Sequence, residues 1–203
     1  ILFNLFFSDV VNSLESQARL LADDLALEAS GHSESLNDKA DALQRDFTRI
    51  AVWCRRWRLD PEPTKTKLLF VTRSSSLRRR SLEVDFRFSG APVKCSKTAR
   101  YLGITFDDRA SFDAEGIRRA EAYEARLNTL RRISGNRWGC PLKHLLTLHK
   151  SCALPSITYA PYILALVAST HRDRISRLQR SFLRWVLHLP AYASSVAVEA
   201  YTS

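Results

Sequence analysis

Asp23 and Asp24 stand side by side in an otherwise apolar run, LLADDLAL at residues 20–27. Two neighbouring carboxylates repel, and apolar flanks deprive them of solvent, so keeping both ionised calls for a compensating cation. The flanks, residues 19–21 and 25–27, read as the two strands of a hairpin with the aspartates at its turn. A hard divalent ion binds through one or two carboxylates together with substrate phosphates, which suits the pair. Two such ions can activate an attacking hydroxyl and stabilise a leaving oxygen. An exposed Asp-Asp turn with no ligand is the plain alternative. The second pair, Asp107-Asp108 in ITFDDRAS, leaves a strand for a charged loop and reads as ordinary solvated aspartates.

Around that turn the apolar spacing changes character along the chain. Residues 1–15 step as a helix through Phe3, Phe6, Phe7, Val10, Val11 and Leu14. A long amphipathic helix is predicted from about residue 33 to 57, with Leu36, Ala40, Leu43, Phe47, Ile50 and Cys54 on one face and Arg55, Arg56 and Arg58 at its end. The prolines of LDPEPTKT stop it. Strands are predicted at KLLFVT, LEVDFRF and ARYLGITF, with the polar RSSSLRRRS as a solvated loop. Beyond Asp108 the pattern is helical: about 111–134, a proline-interrupted 141–168, and 171–188. The fold class is therefore α+β: residues 1–108 mixed, residues 109–203 all-α.

Charge divides the same way. Residues 1–108 hold 17 Lys and Arg against 15 Asp and Glu; residues 109–203 hold 14 against 6. The excess in the second part is mostly Arg, the side chain suited to phosphate, so a polyanion such as nucleic acid is an expected partner, with a merely basic surface as the alternative. The four cysteines form no CxxC pair and read as reduced thiols of an intracellular protein, in cytoplasm or nucleus. No apolar run spans a bilayer, so no membrane segment is expected. The chain contains no methionine and opens inside an apolar pattern, so it is expected to be a fragment.

Taken in order, ILFNLFFSDVVNSL, LADDLALEASG, a long helix ending in Trp57, LDPEPTKTKLLF and ARYLGITFDD resemble the reverse transcriptase of non-LTR (LINE-like) retrotransposons. The resemblance covers most of the chain: the second half of the palm, with antiparallel strands and helices, then basic helices like the thumb and connection. It implies an RNA-directed DNA polymerase whose full-length parent uses Mg²⁺, or Mn²⁺, and dNTPs to extend a DNA primer on an RNA template. Asp23 would be the principal metal ligand and Asp24 its companion. Lys65 would lie near the triphosphate, and Tyr101, Leu102 and Gly103 would belong to the primer-grip hairpin. Arg118, Arg119, Arg126, Arg177, Arg180 and Arg184 would face the template–primer backbone.

The sequence also departs from the family's pattern. Leu21 stands where the family has an aromatic residue before Ala-Asp-Asp, and Asp60 where it has asparagine. By the resemblance, the fingers, the first catalytic aspartate motif and the glutamine-glycine motif would belong to a preceding part of the same polyprotein, and Asp9 would not replace that aspartate. The 203 residues alone are expected not to polymerise DNA. A non-catalytic nucleic-acid-binding remnant is the second reading.

Two further clusters are read as ordinary. Cys140, His144, His149 and Cys152 could be drawn as a zinc set, but ligands strung along one continuous helix cannot close a tetrahedron without a bend. In WCRRWRL, Trp53 and Trp57 are four apart and read as the core side of the long helix, with Arg55 and Arg56 toward water.

Overall fold

A computed structural model describes residues 2–31, 36–81, 85–134 and 139–194. These fall into two compact units, 1–99 and 100–203. The first residues of the predicted 33–57 helix and of the strand LEVDFRF lie outside the described residues.

The first unit mixes helices and short strands. Helix α1 (Leu2–Val11) leads to the antiparallel hairpin β1 (Gln17–Leu21) and β2 (Asp24–Glu28). The pairing ends at Leu21 opposite Asp24, leaving Ala22 and Asp23 as a two-residue turn. Ala22 carries a positive φ of 55°, as primed hairpin turns require at their first position. Helix α2 (Leu36–Arg56) is the backbone of this unit, and its apolar face builds a core of Val10, Ile50, Cys54, Phe86, Phe88 and Val93, with Leu25 and Leu27 of β2 against it. Trp53 packs on Phe6 and Phe7 at ring separations of 5.0 and 5.4 Å, so the predicted core side of α2 is seated on α1.

Past α2 the strands are shorter than their sequence suggests. β3 (Leu68–Leu69) runs parallel to β6 (Cys95–Ser96), a departure from an all-antiparallel arrangement. β4 (Phe86–Phe88) and β5 (Ala91–Val93) form an antiparallel ribbon. Gln44 of α2 caps it: its side-chain amide donates to the Arg87 carbonyl and accepts from the Arg87 N–H, each at 2.9 Å. The expected loop RSSSLRRRS is instead helix α3 (Ser75–Ser81). Ser74 takes the N-cap position there, its hydroxyl accepting from the Leu77 N–H, and Leu and Arg are good helix formers.

The predicted strand ARYLGITF is a hairpin, β7 (Thr98–Tyr101) and β8 (Ile104–Asp107), followed among the described residues only by helices. These are α4 (Asp113–Ile133), α5 (Leu142–Leu148), a π-helical turn (His149–Ala153), α6 (Pro155–Thr158), α7 (Pro161–Leu166) and α8 (Ser169–Val186). Pro155 and Pro161 each open a new short helix, because the ring forbids the preceding turn but suits a first helical position. Tyr123, Leu127, Phe182 and Leu183 lie at the centre of the core that α4 and α8 share. Within it, Tyr123 and His149 share a hydrogen bond at 2.8 Å, and His149 stacks on Phe182. No helix among the described residues is long and apolar enough to cross a membrane.

Gly116 marks a tight crossing. A Cβ there would stand 2.6 Å from Val167 Cγ1 and 3.0 Å from His171. Gly116→Ala is expected to destabilise the protein by a net amount of about 1 kcal/mol, since overpacking costs about 1–3 kcal/mol and alanine's helix preference returns about 1 kcal/mol. Thermal unfolding checks this; an unchanged or raised midpoint would refute it.

Candidate functional site

The β1–β2 turn is exposed and anchored from below. Asp46 of α2 is wholly buried, and its carboxylate accepts from the backbone N–H groups of Glu15 and Ser16 at 2.9 and 2.8 Å, just before β1 begins. Burial pushes the Asp46 pKa up, but these N–H groups and Arg49 outweigh it and hold the carboxyl below its usual range. Arg45 and Arg49 then clasp Glu15 at 2.8 and 2.7 Å. One helix thus fixes where the hairpin starts and, through Leu25 and Leu27, which face it lays on the core.

At the tip, Asp23 and Asp24 are both exposed. The apolar flanks do not withdraw them from solvent, contrary to the expectation, because the turn projects past the core and Leu21 is itself exposed. The aspartates offer hard oxygen donors, the kind that hold Mg²⁺ or Mn²⁺. Among the described residues no group of three or more His, Cys, Asp or Glu could hold a metal ion. The donors fit such an ion in kind and fall short in number.

The other aspartate pair reverses the sequence expectation. Asp107 is 8% exposed, and its carboxylate accepts from the N–H groups of Arg109, Ser111 and Phe112 and from the Ser111 hydroxyl. Burial raises its pKa, but those hydrogen bonds prevail and keep it low. It shapes the turn into α4, so its place is structural.

Lys65 lies in the turn after α2, 82% exposed, and its ammonium pairs with Glu62 at 2.6 Å. That hydrogen bond raises the Lys65 pKa and keeps it charged.

Two sets of expected residues do meet. Tyr101 ends β7, and Leu102 and Gly103 form the turn to β8 with φ of 47° and 80°, the two positive values of a type I′ hairpin. Arg118 donates through Nη2 to the Gly103 carbonyl at 3.1 Å and to Glu115 Oε1 at 2.6 Å. It belongs to the hairpin's support, with only its remaining surface toward solvent. Arg119, expected to face the template–primer backbone, is instead buried. Neither it nor Glu115 has any exposure, and its Nε meets Glu115 at 2.7 Å while Nη1 donates to the Ile157 carbonyl. A side chain so placed cannot reach a nucleic-acid backbone. Its Nη2 finds no protein acceptor.

The remaining arginines separate. Arg126 and Arg177 are exposed on α4 and α8. Arg180 is half-buried and bonds the Ser176 carbonyl, and Arg184 is turned back on the Ala193 carbonyl at 2.8 Å, closing the segment after α8. Arg174, not singled out from sequence, ties α8 to α4 through Glu124 at 2.9 Å. His149 of the cysteine–histidine cluster is buried against Tyr123, whereas His144 and Cys152 are exposed. All four cysteines are free thiols.

Glu115 and Tyr159 support the β7–β8 hairpin without standing out in any sequence motif. Glu115 stands three and four residues before Arg118 and Arg119, the spacing of helical ion pairs, and this was the available signal. Tyr159, whose hydroxyl donates to the Leu102 carbonyl at 2.9 Å, carried none, since 57 residues separate the two in the chain.

No protein-family model and no solved structure matches the chain. Among curated proteins it is 29% identical to a probable RNA-directed DNA polymerase from transposon BS of Drosophila melanogaster, over 84% of this chain and 18% of that protein. It is 25% identical to a probable RNA-directed DNA polymerase from the X-element of the same fly, over 85% of this chain and 18% of the other. With the RNA-directed DNA polymerase from mobile element jockey, also of Drosophila melanogaster, identity is 23% over 98% of this chain and 22% of that one. The chain thus spans about a fifth of the length of these relatives. Over most of its own length the chain is similar to RNA-directed DNA polymerases of non-LTR retrotransposons.

Proposed function

We propose that this chain forms part of an RNA-directed DNA polymerase and contributes two acidic groups of the reacting centre and a helical surface for the template–primer. The observation that carries the reading is the coincidence of a likeness covering most of the chain with Asp23 and Asp24 at the exposed tip of an anchored hairpin. In the reaction, the primer 3′-hydroxyl attacks the α-phosphate of a dNTP paired to an RNA template, a phosphodiester forms and pyrophosphate leaves. Bound Mg²⁺ or Mn²⁺ would activate the hydroxyl and neutralise the leaving charge. Asp23 and Asp24 would hold such an ion through their carboxylate oxygens, together with further ligands from the upstream part of such a polymerase. Lys65 exchanges Glu62 for the triphosphate. The turn at Tyr101, Leu102 and Gly103 faces the primer, and Arg126 and Arg177 touch phosphates, which positions a duplex without reading its sequence.

A protein joining this chain to the upstream part of such a polymerase is expected to incorporate dNTPs as the RNA template dictates; incorporation that ignores the template, or none, would overturn the reading. The 203 residues alone are expected to bind an RNA–DNA duplex without extending it. Arg126→Ala and Arg177→Ala should each reduce the slope of log affinity against log salt by about one. Slopes equal to the parent's would remove both residues from the interface.

A further inference from the structure

We propose that Glu115, Arg118 and Tyr159 are positioning residues that clamp the Leu102–Gly103 turn, so that the hairpin meets a primer terminus as a fixed tip; this rests on the polymerase reading above. Leu102 sits in the left-handed region at φ 47°, a conformation that non-glycine residues hold only where their surroundings impose it. The surroundings here act on consecutive residues. The Leu102 carbonyl accepts from the Tyr159 hydroxyl at 2.9 Å, and the Gly103 carbonyl from Arg118 Nη2 at 3.1 Å. Two residues on, the Thr105 N–H donates to Glu115 Oε2 at 2.9 Å.

The turn also has no room to rock backward. A Cβ on Gly103 would touch the Tyr159 ring at 3.5 Å, so the glycine lies flat against it. Glu115 is in turn gripped by Arg118 and by the buried Arg119, which makes the clamp continuous with the interior of α4. Both turn carbonyls are therefore taken by this protein's own side chains. Tyr159 is 54% exposed, so its hydroxyl contributes little to the core and much to where the turn points.

The test uses the 203-residue chain, amide hydrogen exchange, and two RNA–DNA duplexes of equal length, one blunt and one with a recessed DNA 3′ end. The parent is expected to prefer the recessed end. Tyr159→Phe should speed exchange at residues 102–105 by about tenfold, the effect of one lost hydrogen bond, and reduce that preference by about fivefold. Its affinity for the blunt duplex should stay as in the parent, and its melting temperature should fall by no more than about 2–4 °C, the effect of one lost hydrogen bond. Arg118→Ala should act in the same direction, with partial recovery in Arg118→Lys. Unchanged exchange, or faster exchange with the recessed-end preference intact, overturns the clamp and leaves the polymerase reading standing. A parent chain that binds both duplexes alike overturns the polymerase reading, and the proposal with it.

Discussion

Glu115→Ala is expected to cost the protein about 3–5 kcal/mol, because it leaves the Arg119 guanidinium buried without its counter-ion. Arg119 has no exposure and one nitrogen already lacks a protein acceptor, so no rearrangement short of opening α4 returns the charge to water. The same substitution frees Arg118 and unties the Thr105 N–H. Urea unfolding followed by circular dichroism measures the loss; a change below about 1 kcal/mol, the scale of an exposed ion pair, would show that the pair is not buried in solution. Acid makes the same point without mutation. Burial alone would raise the Glu115 pKa, but the hydrogen bonds from Arg118 and Arg119 prevail and bring it from 4.5 to about 2. A carboxyl depressed on folding contributes stability that is fully present above its unfolded value and is lost as pH falls through its folded value. Between pH 4.5 and about 2, the parent should therefore shed stability on the order of 3 kcal/mol through this group. Asp46 and Asp107, also depressed, add losses of the same sign, whereas Glu115→Ala removes the largest of them.

In a protein joining this chain to the upstream part of an RNA-directed DNA polymerase, Asp23→Asn is expected to abolish templated incorporation, by about 10³-fold or more, while leaving duplex affinity within about twofold. The substitution keeps the size of the side chain and an oxygen acceptor, and removes one of two adjacent negative charges. If that charge holds a cation at the transferring phosphate, its loss forfeits several kcal/mol of transition-state stabilisation, each 1.36 kcal/mol being a factor of ten. Stability should be unchanged, because Asp23 is exposed and lies in a turn whose anchors are at the other end of the hairpin. A single-turnover assay at saturating duplex separates the two effects. Incorporation within tenfold of the parent would remove Asp23 from the reacting centre.

What the sequence disclosed depended on whether an interaction was local. Helices α2 and α8 were legible because Leu43, Phe47, Ile50 and Cys54, or Ile175, Leu178 and Phe182, recur at helical spacing, although Trp185 and Leu189, which continue the second pattern, are exposed. The hairpin at residues 17–28 was legible because two charges interrupt an apolar run. The fate of those charges was not, since whether a turn lies over the core or beyond it depends on distant packing. Asp107 shows the converse: its burial comes from a backbone loop that wraps it, and loop geometry leaves little periodicity to read. Arg118 and Arg119 looked like neighbouring surface cations because an ion pair to Glu115 has the same spacing on a buried helix face as on an exposed one. Strands β5 and β6, three and two residues long, are too short to show alternation.

The amide of Gln44 has a consequence for how this chain behaves among copies of itself. A two-stranded ribbon such as β4–β5 has two open rims, each a template on which another chain can add a strand and begin to aggregate. On the β4 rim, Gln44 already occupies both the N–H and the carbonyl of Arg87, as an incoming strand would. On the β5 rim, the residue paired with Arg87 is Pro92, which has no N–H to offer. One side chain and one imino acid thus close the ribbon at both margins, and the apolar sequence around Phe86 and Phe88 is committed to its own core rather than to a neighbour's sheet.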